Sequence, residues 1–204
     1  MKLLPYFTVA LIVSTPVLAE DTRQLDAHEH GVGELNIAFE GAQIAMEFHA
    51  PGADIVGFEY APTSDDDRNA VDAALAVLES PLKLFELPKA AQCEVLSASA
   101  ELEAEDDHHD EDKQHDEDEH HDHDDEAHEE DDHDEHAEAA GHAEFHAEYL
   151  LTCAHPDAID AITFAYFQAF PNAREVHVQA VTATGAHAFE VSNDMPRLDL
   201  GGLF

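Results

Sequence analysis

Positive charge is nearly absent from this sequence. Eight Lys and Arg face 47 Asp and Glu over 204 residues, a formal net charge of −39 at pH 7. So acidic a chain is repelled by phosphate backbones and anionic membranes, which excludes nucleic acid as a partner and favours a cation or a basic protein. Cysteine is equally sparse. With only Cys93 and Cys153, no paired Cys-x-x-Cys zinc knuckle can form. Catalytic signatures are missing too: the sequence has no His-Glu-x-x-His, no Gly-x-Ser-x-Gly and no phosphate-cradling glycine loop. His142-Ala143-Glu144-Phe145-His146 has the wrong order for a zinc protease, so no enzymatic function is expected. The one long apolar run, Leu3 to Leu18, is interrupted by Pro5 and Pro16 and is short for a membrane span. Between Met1-Lys2 and Val17-Leu18-Ala19 it reads as a signal peptide over residues 1–19, cleaved before Glu20. The mature chain of about 185 residues is therefore expected to be exported, soluble and not inserted in a membrane.

What the chain has in abundance is concentrated in one segment. Residues 101–140 hold 23 acidic residues, nine histidines and one lysine, with only seven others among them. Acid alone would read as a solvated, self-repelling tail. Imidazole changes the chemistry, because it suits zinc, copper and nickel whereas carboxylate alone suits calcium and magnesium. The nine are His108, His109, His115, His120, His121, His123, His128, His133 and His136. Their irregular spacing predicts several exchangeable sites in a disordered loop rather than one rigid site. A calcium-dependent acidic interaction protein is the contrasting reading. Calcium loops carry a glycine and regular Asp spacing, and the segment has neither.

Around this insert the remaining chain, residues 20–100 and 141–204, suffices for one compact domain. Leu35, Ile37 and Phe39 alternate with polar residues, as do Ile44, Met46 and Phe48, predicting a β-hairpin turning at Glu40-Gly41. In that register Leu35 meets Phe48, Phe39 meets Ile44, and Glu34 lies opposite His49. Ser64 followed by Asp65, Asp66 and Asp67 reads as an N-cap and acidic first turn. Val71, Ala74, Leu75 and Leu78 then keep helical spacing until Pro81. On either side of the insert the period returns to two. Leu96, Ala98, Ala100 and Leu102 form one apolar stripe, and Ala143, Phe145, Ala147 and Tyr149 the other. The insert is thus an enormous hairpin loop. Ile162 to Phe170 is core-forming, and strands are expected around Val176 and Val178 and, last, around Phe189 and Val191. The sum is an α+β domain, mainly antiparallel sheet with one or two helices.

Export makes a Cys93–Cys153 disulfide plausible, with two independent buried thiols as the alternative. Cys93 falls on the polar parity of its strand and Cys153 on the apolar parity of its own. A bond therefore requires a β-bulge, or a cysteine outside the ladder.

Outside the insert, two further groups of histidines could ligate metal. His28 and His30 share a face of an extended chain, and the hairpin brings His49 to the same end. With Glu34 or Glu59 these would suit tetrahedral zinc; unrelated surface histidines on a polar arm fit the spacing equally well. His142 and His146, four apart, also share a face with Glu144 and Glu148 in a strand. His155, His177 and His187 read as ordinary residues, His177 on a polar strand face and His187 as a partly buried packing group.

The segments Ala27-His28-Glu29-His30-Gly31-Val32-Gly33-Glu34-Leu35 and Pro51-Gly52-Ala53-Asp54-Ile55-Val56-Gly57-Phe58-Glu59-Tyr60-Ala61-Pro62 resemble the ZrgA-type periplasmic zinc-uptake proteins. So do Phe145-His146-Ala147-Glu148-Tyr149 leading to Cys153, Phe167-Gln168-Ala169-Phe170-Pro171, and an acidic histidine loop between two cysteines. The resemblance covers essentially the whole mature chain and departs at Tyr60, where histidine is expected. It implies a non-enzymatic, periplasmic Zn2+ binder assisting a zinc ABC transporter or its solute-binding protein, with His28 and His30 in the His-x-His-Gly motif. Ni2+ and Cu2+ share the ligand chemistry. A periplasmic metal buffer or store, uncoupled from import, is the other reading.

Overall fold

The computed structural model describes residues 29–104 and 142–203. Residues 1–19, His28 and the insert histidines from His108 to His136 lie outside them, so the readings placed on those residues meet no structure.

Period-two sequence becomes sheet as expected at the N-terminal end. Strands β1 (Val32–Glu40) and β2 (Gln43–Pro51) form an antiparallel hairpin with Leu35 opposite Phe48, Phe39 opposite Ile44 and Glu34 opposite His49. Gly41 turns the chain at φ 60°, a left-handed conformation that glycine adopts without steric cost. The inward parity, Leu35, Ile37, Ile44, Met46 and Phe48, is buried. After the single turn α1 (Gly52–Ile55), helix α2 (Asp65–Leu78) starts at a capping box. The Ser64 hydroxyl accepts from the Asp67 amide, and the Asp67 carboxylate accepts from the Ser64 amide. Val71, Ala74 and Leu78 form its buried stripe. Two more single turns, α3 (Pro81–Leu84) and α4 (Tyr166–Ala169), bring the α-helical segments among the described residues to four where one or two were expected. Only α2 exceeds one turn.

The strands flanking the insert are β4 (Cys93–Ala104) and β5 (Ala143–Cys153), paired antiparallel from Cys93↔Cys153 to Ala104↔Ala143. β4 thus continues four residues into the segment read as insert. A register shift between Val95 and Ser97 leaves Leu96 as the extra residue, 54% exposed rather than on the apolar stripe. That bulge flips the parity of everything before it. Cys93 is thereby brought onto the face of Cys153, and the two are joined in a disulfide.

Two features depart from a simple antiparallel sheet. The remaining strands are β6 (Ala161–Phe164), β7 (Glu175–Thr182), β8 (Gly185–Ser192) and β9 (Arg197–Asp199), with the two-residue β3 (Phe85–Glu86) earlier in the chain. The large sheet runs β4-β5-β2-β1-β7-β8, and its β1–β7 pair is parallel. A second sheet, β3-β6-β9, includes a strand beyond the one expected to be last. Its residues, with α2 and α4, cover one face of the large sheet. There Phe48 packs edge-on to Phe85 at 5.4 Å and to Tyr166 at 5.0 Å, and Phe85 to Phe164 at 5.4 Å. Among the described residues, none of these elements covers the opposite face.

Gly52 ties α1 to that architecture. A Cβ at this position would lie 2.5 Å from the Phe58 carbonyl oxygen and 2.9 Å from that of Ala143, the first residue of β5. Both obstacles are backbone. Gly52→Ala should therefore destabilise the domain by about 1–3 kcal/mol, the usual range for overpacking, read as a lower urea midpoint.

Candidate metal centre

The open face of the large sheet is built without a permanent positive charge. None of its six strands contains Lys or Arg. Its outward positions carry Glu34, Glu47, Glu101, Glu103, Glu144, Glu148, Glu175 and Glu190, so within these strands the only group able to carry countercharge is imidazole. Like charges on neighbouring strands destabilise a sheet.

Three strands of this sheet repeat one local pattern, a glutamate and a histidine separated by a buried apolar residue. They are Glu47-Phe48-His49 in β2, Glu144-Phe145-His146 in β5 and Glu175-Val176-His177 in β7. Phe48, Phe145 and Val176 are each 0% exposed. The central residue is pinned in the core, so strand alternation holds the flanking carboxylate and imidazole outward together. The repeat is legible in the sequence itself, although of its three copies only that of Glu144 and His146 stands beside other candidate ligands there.

Pairing of β2 with β5 sets His49 opposite His146. Their rings stand 4.1 Å apart, centroid to centroid, at 63°. Glu144 sits between them, its Oε2 at 2.8 Å from His146 Nε2 and 3.9 Å from His49 Nδ1. Glu47 approaches His49 Nε2 at 3.3 Å, and Glu103 approaches His146 Nε2 at 3.5 Å. One ligand atom from each of His49, Glu144 and His146 lies within 4.8 Å of the others. Tetrahedral zinc with bonds of about 2.1 Å holds its ligands about 3.4 Å apart, a contraction within reach of side-chain rotation. Two imidazoles and a carboxylate favour zinc over calcium, and Glu47 or Glu103 is placed to complete the set. A groove of about 170 Å³, lined in part by Glu47, Glu101, His146 and Glu148, opens beside it.

Of the histidines expected at the open end of the hairpin, His28 lies outside the described residues, and His30 and His49 have different nearest partners. His49 lies with His146 and Glu144, while His30 Nε2 meets Glu59 Oε1 at 2.9 Å in a separate pair. Exposed His142 precedes β5 and is not in the three-residue cluster. His155 is exposed, and half-buried His187 stacks on Phe189 at 6.4 Å. Buried Asp54, unremarked in the sequence, accepts both of its short contacts from the Gly31 amide, at 2.8 and 3.0 Å. Burial pushes its carboxyl up while that hydrogen bond opposes the rise. Asp54 thus anchors to α1 the arm that carries His30.

Proton and metal compete in the cluster. The hydrogen bond to Glu144 raises His49 above the ordinary value of 6.5, against burial, and Glu47 adds to the rise. Burial alone would raise Glu144, but hydrogen bonds with His146 and His49 prevail and hold it down at about 2. In the metal-free protein, the raised His49 contributes stability fully present below pH ~6.5 and lost as pH rises through its folded pKa. The depressed Glu144 contributes stability present above pH ~4.5 and lost as pH falls toward ~2. Zinc needs neutral imidazole, so its stabilising effect should run opposite to that of the His49 proton. The rise in melting temperature on adding zinc should be small near pH ~5 and largest above pH ~7. A pH-independent rise would count against imidazole ligation.

An α+β domain whose open sheet face gathers imidazole and carboxylate in register is, by class, a scaffold suited to divalent cations. The chain belongs to the ZrgA family: the family model described as ZrgA family zinc uptake protein matches residues 27–200. That family is one of zinc uptake and is not a known enzyme family. No match to an individually curated protein was found. Among the described residues no helix is long and apolar enough to cross a membrane.

Proposed function

We propose that this protein captures Zn2+ in the periplasm and delivers it toward an ABC importer or that importer's solute-binding protein. The His-rich insert gathers ions, and His49, Glu144 and His146 hold one on the folded domain. The observation that carries this reading is where the cluster sits. Glu103 pairs with Glu144 and Ala104 with Ala143, at the end of the ladder where the chain departs into residues 105–141. Glu144 and His146 therefore stand at the root of the segment carrying His108 to His136. Carboxylates concentrate cations near the surface, and imidazoles select among them. His30 with Glu59, and His28 two residues earlier, would supply a subsidiary entry point just before β1, at the same end of the sheet.

The test is a zinc titration against a competing chelator near neutral pH. It compares the mature protein with a variant in which residues 106–139 are replaced by a short Gly/Ser linker. The variant should keep one tight site and lose several weaker ones. A variant that binds no zinc would make the domain only a holder for the insert.

A further inference from the structure

The strand registers place one residue from each strand of the large sheet in a single cross-strand row. Glu190 of β8 pairs with His177 of β7, His177 with Glu34 of β1, Glu34 with His49 of β2, His49 with His146 of β5, and His146 with Glu101 of β4. Residues paired in a ladder point to the same face, so carboxylate and imidazole cross the whole open surface in one line. The centre described above occupies only the β2–β5–β4 half.

The other half repeats its chemistry. His177 belongs to the third of the Glu-apolar-His tripeptides, and the other two supply His49 and His146. His177 Nε2 lies 2.7 Å from Glu175 Oε1, and ligand atoms of Glu175, His177 and Glu190 all fall within 4.8 Å of one another. Glu34 adds a third carboxylate one strand away. No Lys or Arg in β1, β7 or β8 balances these three acids.

We propose that Glu175, His177 and Glu190 form a second divalent-cation site, in line with the first and linked to it by Glu34. Two strand spacings separate the imidazoles of His177 and His49, about 10 Å. With one imidazole instead of two, and with His177 48% exposed against 13% for His146, this site is the weaker and faster-exchanging of the pair. An ion bound there is one carboxylate away from the tighter centre, which makes the sheet face a stepped path rather than a single trap. The order of filling rests on the zinc reading of His49, Glu144 and His146; the existence of the second site does not.

The test follows individual imidazoles by long-range 1H–15N spectra of the full mature chain, with free zinc set by a chelator buffer. His177→Ala and His49→Ala variants assign the signals. The His49 and His146 signals should respond first, and those of His177 at roughly tenfold higher free zinc, still below the level that moves solvated His155. Glu175→Gln combined with Glu190→Gln should push the His177 response up by about tenfold or more, leaving His49 and His146 unchanged. A His177 response that coincides with that of His155, or that ignores the double Gln substitution, would overturn the second site. If His49 and His146 stay still, the first centre fails instead, and the His177 signals continue to decide this proposal on their own.

Discussion

Replacing His146 by alanine should weaken zinc binding at the folded-domain site by about 100-fold or more, roughly 2.7 kcal/mol. His146 does more than offer one ligand atom to the cluster. Its ring holds Glu144 at 2.8 Å and meets Glu103 at 3.5 Å, so its loss also releases the carboxylate that faces His49. The side chain is 13% exposed, on a strand whose inward neighbours Phe145 and Ala147 keep the backbone in place, so the fold should survive the change. The measurement is chelator competition in the variant lacking residues 106–139, where weaker sites do not obscure the tight one. His142→Ala is the matched comparison, four residues away on the same segment. It should alter affinity less than about threefold, since His142 is not among the converging groups. Equal losses from the two substitutions would show that the insert's root binds zinc diffusely, without a defined cluster.

The second large effect concerns the disulfide. Cys93 and Cys153 are 60 residues apart in sequence, and closing a loop of that length should stabilise the fold by about 4 kcal/mol in the chain-entropy account. Cys93→Ser with Cys153→Ser should therefore lower the melting temperature by about 8–16 °C for a chain of this size. Zinc affinity measured well below that temperature should hardly move. The ladder between Glu103↔Glu144 and Ser97↔Leu150 lies on the other side of the Leu96 bulge from the cysteines and holds His146 in register by itself. A loss of zinc affinity that tracks reduction of the disulfide would tie the site to the bond more closely than the geometry does.

Much of the hairpin and of α2 was legible because their signals are local. The Glu40-Gly41 turn and the alternation on either side leave one register that buries Leu35, Ile37, Ile44, Met46 and Phe48 together. Ser64 and Asp67 cap α2 across three residues. Parity required, for a bond between the two cysteines, either a bulge or a cysteine outside the ladder, and Leu96 supplies the bulge. Even the Glu-apolar-His repeat is written in the chain as three tripeptides, each needing only strand alternation to point its polar pair outward.

Strand order is where local reading ends. β1 and β7 pair in parallel across some 140 residues of chain, and no turn chemistry announces such a partner. That pairing puts His177 beside Glu34, while β2 against β5 puts His49 beside His146, and His30 pairs with Glu59. The sequence by itself determined, Leu96 apart, which residues of these strands face water, where the hairpin turns, and that the polar face would be imidazole and carboxylate. Only the tertiary structure decided which of them meet. Alternation assigns a face to each side chain, but neighbours across strands are chosen by how the inner faces pack, around Phe48, Phe85 and Tyr166 on the far side of the sheet.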